Sequence, residues 1–135
     1  YLESQYPDKP LMGSTDLERA QVLGWAHKIF IHGLMAVAEM LRNQGDFFKN
    51  RAMPGPLQLE QIPALVKRGK LLLNDFFQML ETHLQDRAYM VGDSLTLADI
   101  DAYVACDFAG WVKQSIPDDC PQLQAWYERM KVALN

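Results

Sequence analysis

Among the imidazoles of this chain, His27, His32 and His83, His27 is the one whose setting could serve chemistry. Projected at about 100° per residue, it falls among Ala20, Leu23, Phe30, Ile31, Leu34 and Ala38, in the middle of an apolar helical arc. A polar ring there must be satisfied as a core group or line a cavity. Both readings stay open. His32 shares a polar sector with Glu18, Gln21, Lys28 and Glu39, which predicts a solvated surface histidine. Trp25 lies at the edge between the two sectors and makes an aromatic and basic strip with Lys28 and His32. Such a strip could receive an anionic ligand or a neighbouring domain; alternatively Trp25 covers the core and Lys28 stands in water. Phe108 and Trp111, three apart, share a helix face and either line an apolar chamber or pack on the first helix.

Other chemistries find no pattern in the sequence. His27 and His32 lie about 140° apart around a helix and cannot share one ion, and no cysteine or carboxylate completes a zinc-type spacing, so no metal is expected. Asp99 and Asp101 point in different directions. There is no phosphate-cradling glycine motif, nucleophile elbow or Cys-x-x-Cys. Cys106 and Cys120 are too few for a disulfide framework, and a buried inert thiol is the usual state of a helix cysteine such as Cys106. A net charge of -4 disfavours nucleic acid and anionic membrane surfaces. The run Ile29 to Leu41 is broken by His32, Gly33 and Glu39 and falls short of the roughly 20 residues of a membrane span. With no signal peptide legible, a cytoplasmic setting is the expectation.

The elements that must position these groups are helices. Thr15 and Glu18 form a capping box opening an amphipathic run to about Asn43. A loop rich in Gly, Pro and aromatics, Gly45 to Pro56, precedes a second long helix that begins between Leu57 and Ile62, carries Pro63 in its first turn and extends to about Gln85. A third helix runs from Leu97 to about Val112, and a fourth from about Gln122 to Ala133. The start of the third helix is doubly specified: Thr96 caps, Asp99 reaches back to the cap amide, and Leu95 and Ile100 stand at hydrophobic-staple positions. Gly69, at a cost of about 1 kcal/mol relative to Ala inside a helix, predicts close packing against another helix or subunit. Strand-like alternation is lacking, and 135 residues suit one domain. The fold class is all-α: a bundle of two long helices and two or more shorter ones. Tyr1 to Pro7 reads as the last turn of a helix whose beginning is absent.

The segments Gly92 to Tyr103 and Cys120-Pro121-Gln122-Leu123-Gln124-Ala125-Trp126-Tyr127-Glu128-Arg129-Met130 resemble the C-terminal helical domain of the glutathione S-transferases. A glycine-aspartate turn before a Ser/Thr-x-x-Asp box, and a later Pro-x-Leu-x-x-Trp helix start, occur in the family's order. Asp107-Phe108-Ala109-Gly110-Trp111-Val112-Lys113 with Ile116-Pro117 is similar to the bacterial and fungal-like branch. The resemblance implies that residues 1–12 are the end of an N-terminal-domain helix with the interdomain linker, and 13–135 the helical domain. It implies a substrate-side domain of a glutathione transferase that conjugates the glutathione thiolate to small electrophiles in detoxification. Glutathione is then the co-substrate of a longer parent, gripped by a thioredoxin-like domain that this chain lacks, and no cofactor is held by the chain alone. The isolated chain is expected to be inactive. A homodimer is implied, and so is a role for a first-helix histidine in holding an activating water, for which His27 is the candidate. Trp25, His27, Lys28, His32, Phe108 and Trp111 are the candidate substrate contacts. A non-catalytic glutathione-transferase-like interaction module is the alternative, and an independent four-helix protein a third reading.

Overall fold

The computed structural model describes residues 1–134, and among them there are helices and no strands. Helix α1 spans Leu2–Gln5, α2 spans Asp16–Ile29 and α3 spans Met35–Gln44. The latter two are one continuous rod joined by a π-helical turn, Phe30–Leu34, in which the Met35 amide donates to the Phe30 carbonyl. Helix α4 spans Pro63–His83, α5 spans Leu97–Phe108 and tightens into a 3-10 turn at Ala109–Val112, and α6 spans Pro121–Leu134. The expected boundaries hold to within a few residues. The expected domain end at Asn135 lies outside the described residues.

Two differences have local causes. Helix α4 starts at Pro63, past the expected window, because the residues before it are bound sideways to α3. The Ile62 amide donates to Asn43 Oδ1 (2.9 Å), and Gln61 Nε2 donates to the carbonyls of Arg42 and Gly45. At the start of α2, Thr15 Oγ1 accepts from the Glu18 amide as a cap should, but Glu18 Oε2 takes the amide of Ser14 rather than that of Thr15.

The core explains the placement of the histidines. Val22, Ile29, Gly33, Ala36, Val37 and Met40 form the buried stripe of the α2–α3 rod. Most of these are small, and the neighbours come correspondingly close. A Cβ on Gly69 of α4 would stand 2.6 Å from Met40 Cγ and 2.9 Å from the Ala36 carbonyl oxygen, and one on Gly33 would stand 2.7 Å from the Phe76 ring. The expected tight packing at Gly69 is therefore helix against helix. The larger apolar residues of the same rod face outward: Leu23 is 55% exposed, Phe30 52% and Ile31 44%. The rod has two apolar faces, and the face with the bulkier side chains is not the one in the core.

Asp99 ties three parts of the bundle together. Fully buried, it accepts from the Thr96 amide (2.9 Å), Thr96 Oγ1 (2.9 Å), the Met90 amide (2.8 Å) and Trp126 Nε1 (3.3 Å). The expected capping box is present, and its carboxylate also holds the preceding loop and α6. Leu95 and Ile100, the staple positions, are both half-buried. Helix α6 is capped from a distance by Glu81 of α4, whose carboxylate accepts from the Gln122 and Leu123 amides, placing negative charge where the helix dipole favours it.

Candidate functional site

The six side chains proposed from sequence fall into three places. Trp25 is half-buried at the end of α2, with Lys28 Nζ 4.8 Å from its ring centroid. Its other neighbour is a residue that the sequence reading left aside: the His83 ring, 4.2 Å away between centroids. His83 Nε2 lies 2.8 Å from the Met90 carbonyl, which can only accept, so this nitrogen carries the proton. Met90 is thus held on both sides of its backbone, its carbonyl by His83 and its amide by Asp99. Burial pushes the His83 pKa below the ordinary imidazole value, and the positive charges of Arg87 and Lys28 add to the effect; the Met90 carbonyl and Asp99 oppose it. The signal for His83 was its place in the last turn of a long helix, where an imidazole can turn back to serve the following loop.

His27 is exposed on the outward apolar face with Leu23, Phe30 and Ile31, and His32 is half-buried within the π-helical turn. This reverses the burial expected from the projection, which assumed that the arc with the larger side chains faces the core. A bare apolar face around an imidazole is suited to contact with something outside these helices.

Phe108 and Trp111 meet edge to face at 5.7 Å, with Trp111 71% exposed. They stand at the far end of α5 from Asp99 and the Trp25–His83 pair, nine residues or about 14 Å along the helix axis. These helices therefore do not gather the six candidates into one cavity by themselves. Grooves of about 370 to 650 Å³ are lined by other residues. One of about 650 Å³ lies between the rod and α4, where Ile31, Met35, Leu65 and Leu72 surround the ion pair of Glu39 with Arg68. Another, about 590 Å³, is formed by Tyr1, Tyr6, Leu11 and Leu97 where the opening segment crosses the start of α5; the Leu97 amide donates to the Leu11 carbonyl there (2.8 Å).

The thiols are not reactive groups. Cys106 and Cys120 are buried and unpaired with each other. Burial, reinforced by nearby carboxylates, pushes the Cys120 pKa up to about 11 and that of Cys106 further still. Among the described residues no group of three or more His, Cys, Asp or Glu side chains could hold a metal ion, and no helix is long and apolar enough to cross a membrane.

A long α2–α3 rod packed on α4, a buried Asp cap at the start of α5 and an outward apolar face on the rod define this all-helical bundle. Residues 47–131 match the glutathione S-transferase C-terminal domain, and the chain belongs to the glutathione S-transferase family. Glutathione S-transferase 2 of Saccharomyces cerevisiae is 43% identical over 51 residues, covering 38% of this chain and 22% of that protein. The crystal structure of Gtt2 from Saccharomyces cerevisiae is similar with a TM-score of 0.84 at 25% identity, covering 97% of this chain and 61% of that one. A glutathione S-transferase domain-containing protein of Marinobacter aquaeolei VT8 is similar with a TM-score of 0.74 at 26% identity, covering 91% and 58% respectively. The chain thus spans about three-fifths of the length of these solved relatives.

Proposed function

We propose that this chain is the substrate-side domain of a glutathione transferase, in which residues outside it bind glutathione and these helices supply the wall against which a small electrophile is held. The observation that supports this reading most is the outward apolar face of the α2–α3 rod, with His27 set among Leu23, Phe30 and Ile31. Glutathione must react as its thiolate, since the neutral thiol is a poor nucleophile near pH 7. An imidazole in an apolar surround, once covered, is suited to hold a water or the thiolate itself. Trp25 with Lys28 on α2, and Phe108 with Trp111 at the end of α5, are the candidate walls; His32 in the π-helical turn is the second imidazole of the rod. In this reading residues 1–12 are the end of an N-terminal-domain helix and the interdomain linker, residues 13–135 are the helical domain, and glutathione is a co-substrate.

The experiment is conjugation of glutathione to a panel of electrophiles by the full-length protein and by its His27→Ala variant. A loss of kcat/KM of about a hundredfold to a thousandfold is expected, the range for a positioned acid-base group or oxyanion-type donor. An unchanged kcat/KM removes His27 from the mechanism, and absence of conjugation across the panel favours a non-catalytic interaction module instead. We further propose that the groove of Ile31, Met35, Leu65 and Leu72 is covered by a second copy of the protein. Sedimentation then shows a dimer that Leu72→Glu dissociates, and a monomer at all concentrations refutes it.

A further inference from the structure

We propose that His83 and Lys28 compete for the Trp25 ring through a single proton: on acidification His83 becomes the cation held against the indole, and Lys28 is released. The contact joins the last turn of α4 to α2, with 4.2 Å between the imidazole and indole centroids and the ring planes tilted by 48°. Lys28 Nζ stands 4.8 Å from the same ring. Both distances are within the roughly 6 Å at which a cation is drawn to an aromatic face. They also place the ammonium no more than about 9 Å from the imidazole, close enough for two positive charges to repel.

The imidazole can take that proton at one nitrogen. Its Nε2–H is committed to the Met90 carbonyl (2.8 Å), so the lone pair is on Nδ1. Among the described residues Nδ1 has no hydrogen-bond partner, yet no buried side-chain nitrogen or oxygen is left unsatisfied, so Nδ1 reaches water. The way in is a groove of about 370 Å³ that His83 lines with Met79, Thr82, Gln85, Asp86 and Arg87. Protonation there leaves the Met90 hydrogen bond in place and makes it charge-assisted, which fastens the ring further. Lys28 has no such anchor: it is exposed, and among the described residues it forms no ion pair. When both are charged, the tethered imidazolium keeps the indole and the untethered ammonium swings into solvent.

The surroundings decide how readily the proton is taken. Burial of the ring opposes it most, while the Met90 carbonyl favours it; Arg87 of the loop after α4 and Lys28 of α2 oppose it, and Asp99 of α5 favours it. Asp86 lines the groove beside Arg87, and on the α6 side Arg129 donates to the Ala88 carbonyl (3.1 Å). The balance keeps the imidazole neutral at neutral pH and puts its change of charge on the acid side. Where Trp25 serves as a wall for the electrophile, which rests on the function proposed above, acidification uncovers its ring for an aromatic substrate.

The test is a titration of the protein from about pH 8 to 5, with the His83 imidazole, the Trp25 and Trp111 indoles and the Lys28 side chain followed by NMR. One common midpoint below the ordinary imidazole pKa of about 6.5 is expected for His83, Trp25 and Lys28, with Trp111 showing no such transition. In Lys28→Met, a change at an exposed position, the His83 midpoint rises. In His83→Gln, whose amide can still donate to the Met90 carbonyl, the Trp25 and Lys28 transitions vanish. The KM for an aromatic electrophile should fall roughly two- to fivefold over the same interval, the worth of one exposed cation–π contact, and should not do so in His83→Gln. A KM without that step beside an intact NMR transition removes Trp25 from the electrophile wall and leaves the competition standing. A Trp25 signal that stays flat while His83 titrates, a His83 ring still neutral at about pH 5, a Trp25 transition that survives in His83→Gln, or a His83 midpoint unmoved by Lys28→Met would each overturn the proposal.

Discussion

Replacing Asp99 tests how much of the bundle rests on one carboxylate. Asp99→Ala strands three buried N–H donors, the amides of Thr96 and Met90 and the indole of Trp126, and also removes the acceptor of the Thr96 hydroxyl, which is free to rotate and is left out of the sum. At about 1–2 kcal/mol for each unsatisfied donor the loss is roughly 3–6 kcal/mol, a large part of the about 5–15 kcal/mol that holds an ordinary domain together. Asp99→Asn separates the two halves of the site. Its Oδ1 keeps Met90 and Trp126, while its amide group faces the Thr96 N–H, donor against donor. That substitution is expected to cost about 1–3 kcal/mol, clearly less than Ala. Urea titrations followed by circular dichroism at 222 nm measure both, the midpoint shifting with the slope unchanged if only stability is altered. In a Trp126→Phe background, which removes one donor but keeps a ring, the Asp99→Ala penalty should shrink by about 1–2 kcal/mol. Equal losses for Asn and Ala, or a loss below about 1 kcal/mol for Ala, would refute the view that this carboxylate joins cap, loop and α6.

Gly69→Ala should destabilise by about 1–3 kcal/mol in the same titration, although alanine is the better helix former by about 1 kcal/mol, because the Ala36 carbonyl cannot retreat from the new methyl group. A gain in stability would show that α3 and α4 are free to separate. His83 has its pKa lowered in the folded chain, so the unfolded chain binds the proton more readily. Its contribution to stability is complete above the unfolded pKa of about 6.5 and is lost as pH falls from there through the folded value. The urea midpoint should decline over that interval less steeply in His83→Gln, and an unaltered slope would count against this assignment. With its pKa near 11 rather than the usual 9, Cys120 holds roughly a hundredfold less thiolate at neutral pH. Mass spectrometry after iodoacetamide at pH 7.5 should find both cysteines unmodified in the folded chain and modified in urea; rapid labelling of the folded chain would contradict their burial.

The helices were legible because local signals agreed with the final packing. Both Thr caps, Pro63 in its first turn and the apolar periodicity of α4 act within a few residues, and the fold keeps them all. Gly69 was legible for a similar reason, since a glycine inside a long helix needs a cause and close approach is the common one. The histidines were not, because helical projection ranks faces by hydrophobicity and says nothing of what each face meets. Leu23, Phe30 and Ile31 outweigh Ala36 and Gly33 on any such scale, but only the smaller residues let Gly69 and Phe76 approach. The Trp25–His83 contact joins positions 58 residues apart, and the left-handed Lys113 breaks the rule that glycine marks such a place. Neither leaves a trace in local sequence.

Separating the inward and outward faces of the α2–α3 rod has a consequence for how such a domain can diversify. Side chains at 23, 27, 30 and 31 can be exchanged with little penalty to folding, since the neighbours that set the helix spacing are at 33, 36, 37 and 40. Recognition can therefore drift while the scaffold stays constant, and homologous rods with the same interior can present quite different chemistries to whatever lies against them.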